Sequence, residues 1–300
     1  MRYSRCSKGL TALQFEGAHR LAVGVHRHDV SLVATLPRGF DRNTPPAAGH
    51  YDAGVDLSES SDAVRRHPWE VARSRFFRSL VGRHTDAPAL RSVLDVGAGD
   101  GWFAGELLAD VPQECELVCW DINYTDEDLE TTLGPRVRRV TEAPDRPFDL
   151  VLLLDVIEHI ADDAAFLERS VIPRLHQQSV LVVSVPAFQA LYSDHDRALG
   201  HERRYRPAEL HELLADRLDV VERGGLFTAL LPARALSLVA ERAGRQGSTD
   251  GVGGWRGGPA LTSALTGALG ADASAGAWLA RHGVRTPGLS TWAVCRAKQA

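Results

Sequence analysis

Cysteine is scarce in this chain. Four residues of 300 (Cys6, Cys115, Cys119 and Cys295) are scattered, with no Cys-x-x-Cys pair. That pattern argues against a zinc ribbon, a thiol-redox motif or a disulfide framework. It suits a reducing cytoplasm in which Cys115 and Cys119, flanking an expected strand, are buried thiols, so no metal centre is expected. Long apolar runs are missing too. No stretch of about 18 residues could span a bilayer, and the nearest candidate, 225–240, is interrupted by Pro232 and Arg234. The first residues lack the continuous apolar core of a secretory signal. A cytoplasmic protein without a transmembrane segment is therefore expected. Nor is there an excess of base: 34 Lys and Arg stand against 39 Asp and Glu, a net charge of −5 at pH 7. Nucleic-acid binding normally shows the opposite balance, so no such partner is expected. What remains is 44% apolar and 24% charged residues, enough to bury a sizeable core.

Against these absences stands residues 93–102, Val-Leu-Asp-Val-Gly-Ala-Gly-Asp-Gly-Trp. Two apolar residues lead into Asp95, and glycines follow at 97, 99 and 101. An amphipathic run comes next, with apolar residues at 103, 104, 107, 108 and 111, which is helical spacing. The stretch reads strand, glycine turn, helix. Glycines permit positive φ and close approach of a ligand to the backbone, and the following helix start offers unpaired N–H groups. Two familiar nucleotide turns are excluded. A dinucleotide turn wants its third glycine one place later, where Trp102 stands. A P-loop wants Lys-Ser/Thr after its glycines, and none is present.

Further strands are expected at 91–96, 116–120, 136–140, 148–154, 179–185, near 218–223, and at 289–296. Helices are expected over 58–84, from the glycine turn to Pro112, and over 161–170, 207–218, 229–243 and 260–281. Phe148–Leu154 is almost unbroken apolar sequence, as a parallel strand covered on both faces should be. The alternation predicts a doubly wound, Rossmann-like α/β fold. Its sheet is seven-stranded and mostly parallel, helices lie on both faces, and a helical lid insertion precedes the last strand. Residues 1–48, ending near the turn-forming 43–49, read as an extension without catalytic residues; 49–300 form the main domain, with the insertion at about 225–283. In such sheets ligands bind at the carboxyl ends of the strands.

Asp95-x-Gly97-x-Gly99-x-Gly101 resembles the first motif of class I S-adenosylmethionine-dependent methyltransferases. Asp121, closing the second strand, and 148–160 through Asp155-Val156-Ile157-Glu158-His159 extend the resemblance. So do 185–210, Pro287-Gly288-Leu289-Ser290, and His67-Pro68-Trp69-Glu70 with Arg73. The small-molecule, ubiquinone-biosynthesis-like bacterial branch is the most similar. The resemblance implies S-adenosyl-L-methionine as cofactor, contacted by Asp95, Gly97, Ala98, Gly99, Gly101 and Trp102. Asp121 would bond the ribose hydroxyls, Ile122 and Thr141 would lie at the adenine, and Asp155 and Val156 at the methionine end. Many members carry an acid after the third strand, where this chain has Thr141-Glu142.

The acceptor is read from the polar cluster after the fifth strand. His195, His201 and His159 are candidate bases for in-line transfer to a hydroxyl, because histidine titrates near neutrality. Glu158, Asp196, Arg203, Arg204 and Tyr205 are candidate substrate contacts; for Arg204 and Tyr205 the alternative is anchoring the loop to the sheet. The expected activity is O-methylation of a small-molecule or lipid-linked acceptor. The alternatives are a protein or nucleic-acid acceptor on the same fold, or a non-catalytic cofactor-binding protein. No Asn/Asp-Pro-Pro-Tyr/Phe motif follows the fourth strand, which argues against base amino methylation. In the insertion, Leu226, Phe227, Leu230 and Leu231 are assigned to core packing or a homodimer face in preference to binding a hydrophobic substrate or touching a membrane surface.

Overall fold

The computed structural model describes residues 66–243, 255 and 257–298. The extension expected at 1–48 and the first part of the helix expected at 58–84 lie outside the described residues.

Seven strands form one sheet in the order β3-β2-β1-β4-β5-β7-β6. They are β1 (Ser92–Val96), β2 (Glu116–Trp120), β3 (Val137–Val140), β4 (Phe148–Leu154), β5 (Leu175–Pro186), β6 (Leu218–Leu226) and β7 (Ser290–Ala297). The first five pair in parallel, whereas β7 runs antiparallel between β5 and β6. The mostly parallel, seven-stranded α/β architecture is the one expected. Two apolar layers explain why the central strands lack hydrophobic alternation. Val93, Leu150, Leu152, Val182 and Trp292 point into one layer with α1 (Pro68–His84) and α8 (Pro259–Arg281). Leu94, Val151, Leu153, Leu181 and Val183 point into the other, with α6 (Pro207–Ala215). Strands buried on both faces read as continuous apolar sequence.

Local chemistry sets the helix limits. The α1 helix begins with a capping box: the His67 ring accepts from the Trp69 N–H, and Glu70 reaches back to the His67 N–H at 2.9 Å. Pro68 occupies the first helical position, where its missing N–H costs nothing. After the glycine turn α2 (Trp102–Leu107) is shorter than expected, ending well before Pro112. The helix expected over 161–170 is α4 (Asp163–Phe166), continued by a π turn at Leu167–Val171. Two short capped helices had no periodic signal to reveal them: α3 (Asp126–Glu130) and α5 (Asp194–Ala198).

The insertion before β7 contains α7 (Leu231–Arg242) and α8, close to the expected 229–243 and 260–281. The α8 helix packs on α1 and β6 as a layer of the domain. Leu226 and Phe227 are buried and Leu230 packs against the same core, which is the core-packing role. Cys115, Cys119 and Cys295 are buried free thiols, as expected of the first two. No helix among the described residues is long and apolar enough to cross a membrane.

Candidate active site

The ends of β1, β2, β4 and β5 define one rim of the sheet, and the expected cofactor residues lie along it. Gly97, Gly99 and Gly101 have φ of 63°, 55° and 75°, in the left-handed region glycine tolerates best. Two of them are enclosed. A Cβ on Gly97 would meet Val156 Cγ2 at 2.6 Å, and one on Gly101 would meet Leu133 Cδ1 at 2.3 Å. Gly99 faces open space, with nothing within 4 Å of a Cβ. Its N–H donates to Asp121 Oδ2 at 3.0 Å, and Asn123 donates its backbone N–H to Oδ1 at 2.9 Å. The Asp121 carboxylate thus ties the turn after β1 to the loop after β2 while retaining acceptor sites for hydroxyl donors. Ile122 is 44% exposed beside it, the surface an adenine ring would cover.

Asp95 is only 5% exposed, and no hydrogen bond reaches its carboxyl from the described residues. Burial pushes that group up to about 7 against the pull of Arg73, with Asp121 adding to the rise. A buried acid without a donor is costly when ionised; a cationic, hydrogen-bonding ligand group relieves that cost. An open glycine cradle, an unpartnered acid and, one strand away, an acid that accepts three bonds and keeps capacity for more fit S-adenosylmethionine, which carries a sulfonium, an ammonium and a ribose diol.

Other residues support this rim. Asp100 caps α2 through the Trp102 N–H at 3.0 Å and pairs with Arg66, whose guanidinium lies 4.8 Å from the Trp102 ring. Arg139 donates to the Asp100 carbonyl at 2.6 Å. The Trp120 indole donates to the Thr141 carbonyl, placing Thr141 just beyond β3. Asp155 has a positive φ of 61°. Its carboxylate is held by Arg73 at 2.7 Å and by the Ser184 hydroxyl at 2.9 Å. Sequence reasoning singled out Asp155 and noted Arg73, but nothing in the sequence indicated the Ser184 contact. Phe188 and Phe227, just beyond β5 and β6, share the positive φ. Among the described residues, the three non-glycine residues of this kind all follow strands at the same rim.

The rim beyond β5 is built differently. Asp196 has no solvent exposure and gathers two arginines and a histidine. Arg204 Nε lies at 2.7 Å, His201 Nδ1 at 3.0 Å and Arg234 of α7 at 3.5 Å. Burial alone would raise its carboxyl; hydrogen bonds from His201 and Arg204 overcome this and hold it far below the usual range. Arg203 donates to the Ile160 and Ala161 carbonyls and to Asp163. Tyr205 joins β5 through the Pro186 carbonyl and bonds Asp163 at 2.6 Å. Arg203, Arg204 and Tyr205 therefore have internal partners; for Arg204 and Tyr205 this is the anchoring alternative. Glu158, expected as a substrate contact, is buried completely. The Glu202 N–H donates to the Glu158 carbonyl at 2.7 Å, which brings His201 over His159 with ring centroids 4.7 Å apart and nearly perpendicular. His195 lies exposed on α5. The ligating atoms of Glu158, His159 and His201 lie within 4.8 Å of one another. No cysteine signal marks this cluster, so sequence reasoning did not anticipate it.

Residues 65–245 match the family described as methyltransferase domain. A probable S-adenosylmethionine-dependent methyltransferase of Mycolicibacterium smegmatis is 29% identical over 197 residues, a match covering 62% of this chain and 66% of that relative. Among solved structures, the [4+2]-cyclase SpnF aligns with a TM-score of 0.48 and 17% identity, covering 82% of this chain and 92% of that one. The O-methyltransferase NcsB1 from neocarzinostatin biosynthesis, in complex with S-adenosylmethionine and 2-hydroxy-5-methyl naphthoic acid, gives a TM-score of 0.39 and 20% identity over 52% and 55%. With the glycine turn, Asp95 and Asp121 in place on a seven-stranded sheet, the chain belongs to the methyltransferase domain family, in the class I, S-adenosylmethionine-dependent group.

Proposed function

We propose that this protein methylates a hydroxyl group of a small-molecule or lipid-linked acceptor, with His201 receiving the proton. S-adenosylmethionine, when bound, supplies a methyl group already activated on sulfur. The protein must then orient the acceptor and remove its proton. Asp95, the 97–101 turn and Asp121 are the residues to hold the cofactor, with Ala98, Trp102, Ile122, Thr141, Asp155 and Val156 around them.

The orientation of His201 by Asp196 carries the reading. Asp196 is ionised and can only accept, so His201 donates its Nδ1–H to it. That leaves the Nε2 lone pair free to take a proton, the arrangement a general base requires. Among the described residues no hydrogen bond fixes the His195 ring, so His201 is preferred over His195, with His159 as its neighbour. Glu158 and the Asp196, Arg203, Arg204 and Tyr205 network support the acceptor loop.

The test is transfer of a labelled methyl group into a cell extract separated into lipid, small-molecule, protein and nucleic-acid pools. Label in the lipid or small-molecule pool is expected, and His201→Gln should reduce it by roughly 10²–10⁴-fold. Label confined to protein or nucleic acid would overturn the reading. The 4.8 Å cluster favours one second reading, in which Glu158, His159 and His201 hold a divalent ion that lowers the acceptor's pKa. Turnover unchanged by exhaustive chelation upholds the histidine base. Turnover lost on chelation and restored by added Zn²⁺ or Mg²⁺ upholds the ion.

A further inference from the structure

From Ala273 to the last residue the chain contains no Asp or Glu, while Arg281, His282, Arg285, Arg296 and Lys298 fall within it. Three of these residues sit in one turn. The α8 helix ends at Arg281, and Gly283 takes a φ of 79°. The Gly283 N–H then bonds the Ala280 carbonyl, and the Val284 N–H returns to Leu279 at 2.9 Å. This is a glycine-terminated helix end of the Schellman type, so 278–285 is a compact, ordered knob. Its outward side chains are Trp278, 53% exposed, and Val284, 51% exposed, together with exposed Arg281, His282 and Arg285. The Trp278 and His282 rings pack 4.3 Å apart.

The basic character continues onto the neighbouring edge strand. Along β6, Glu222 is bound by Arg83 and His84 of α1, and Gly224 lies under Trp292. Strand periodicity therefore turns Arg223 to the opposite face, the side of α6 and its His211. Neither Arg223 nor Arg285 has an acidic partner among the described residues. His211 Nδ1 is buried without a hydrogen bond. Burial and the nearby Arg285 hold the Arg223 guanidinium below its ordinary value, and burial with both arginines does the same for His211 against the pull of Glu212. Arginines without an acidic partner are thus gathered beside an exposed tryptophan and valine.

We propose that the Trp278–Arg285 knob, with Arg223 and His211 beside it, docks on an anionic phospholipid surface. Cations would meet lipid phosphates while Trp278 and Val284 enter the interface. Exposed aromatic and apolar side chains among basic ones suit the headgroup boundary. Charge complementarity selects this occupant, since a neutral apolar partner would leave the arginines unanswered. The loop from Arg285 leads into Ser290 of β7, which pairs with Pro186 at the end of β5. The proposal depends on no identity of the acceptor, because binding alone tests it.

The experiment is co-sedimentation of the full chain with vesicles of phosphatidylglycerol in phosphatidylcholine, against phosphatidylcholine alone. Binding is expected only with phosphatidylglycerol and should fall with added salt. Arg281→Gln with Arg285→Gln should weaken it on the order of tenfold or more, at about fivefold per cation, and Trp278→Ala should weaken it separately. Unchanged circular dichroism and an unchanged cofactor-induced melting shift establish that the variants fold. Equal binding to both vesicles, or wild-type binding by the double variant, overturns the proposal. It is equally overturned if inorganic phosphate at the lipid-phosphate concentration abolishes sedimentation, or if Trp278→Ala dissociates a dimer formed without lipid.

Discussion

The two halves of the rim use opposite construction. Around β1 and β2 the site is made of backbone and two acids: glycines with positive φ, a donor from Gly99, and carboxyls at Asp95 and Asp121 with unused capacity. Around β5 it is made of long side chains bonded to one another, with Asp196 at the centre of His201, Arg204 and Arg234. The first half keeps acceptor capacity that a cationic, hydroxyl-bearing ligand would use. The second bonds chiefly to itself. A common cofactor needs a fixed cradle; an acceptor needs a loop whose framework holds while its lining differs.

The largest effect should come from breaking the second half at its centre. Asp196→Ala leaves Arg204 buried without its partner, and loss of one member of a buried pair costs about 3–5 kcal/mol. Chemical denaturation would measure it. A loss below about 1 kcal/mol would show that the loop does not depend on this acid.

Breaking the first half should leave the fold and remove the ligand. Wild type at about 100 times the dissociation constant of S-adenosylmethionine gains roughly 2.7 kcal/mol, visible as a raised Tm. Asp121→Ala should lose most of that gain. If it keeps the full shift, Asp121 does not hold the cofactor.

Asp95 sharpens the contrast through pH. Its folded value, about 7, lies above the ordinary 3.8. In the free protein its contribution to stability is therefore full in acid and is lost as pH rises through about 7. A bound cation reverses the demand, since it requires the ionised acid. Cofactor affinity should rise about tenfold between roughly pH 6 and pH 8. Asp95→Asn should flatten that rise and make the free protein more stable near pH 8. Calorimetric titration across the range checks both, and a flat wild-type profile would remove Asp95 from the cofactor site.

The smallest effect is a control outside both halves. Leu236 of α7 is 71% exposed, so Leu236→Ser should change stability by no more than about 0.5 kcal/mol. A larger loss would mean that a partner covers this helix in solution.

The same contrast explains what could be read from the amino-acid sequence. Strand β4, Phe148–Leu154, was legible to the residue, because a strand buried on both faces has no choice but to be apolar. The 93–102 turn was legible because glycine spacing is a direct record of backbone geometry. The acceptor loop was not. Its residues are polar whether they face solvent, substrate or each other, and Arg203, Arg204 and Tyr205 resolve only when Asp163, Asp196 and Pro186 arrive from elsewhere in the chain. Arg234 is the extreme case: it breaks an apolar stretch in sequence, yet it reaches Asp196 across 38 residues. Helix α2 was overestimated because apolar periodicity continues to Val111 after the helix has ended at Leu107.

Asp155, Phe188 and Phe227 lend the rim one more property. Each holds a left-handed backbone that a side chain disfavours, at a cost of order 1–2 kcal/mol. Together they amount to a sizeable part of the 5–15 kcal/mol by which a domain of ordinary stability exceeds its unfolded chain. Of the three, Phe188 alone is neither buried in the core like Phe227 nor ion-paired like Asp155, so a laboratory selection for heat resistance should find glycine or asparagine at that position early. The gain would relax a strand end that the present chain keeps tensed, so heirs of that selection should tolerate more heat and turn over more slowly.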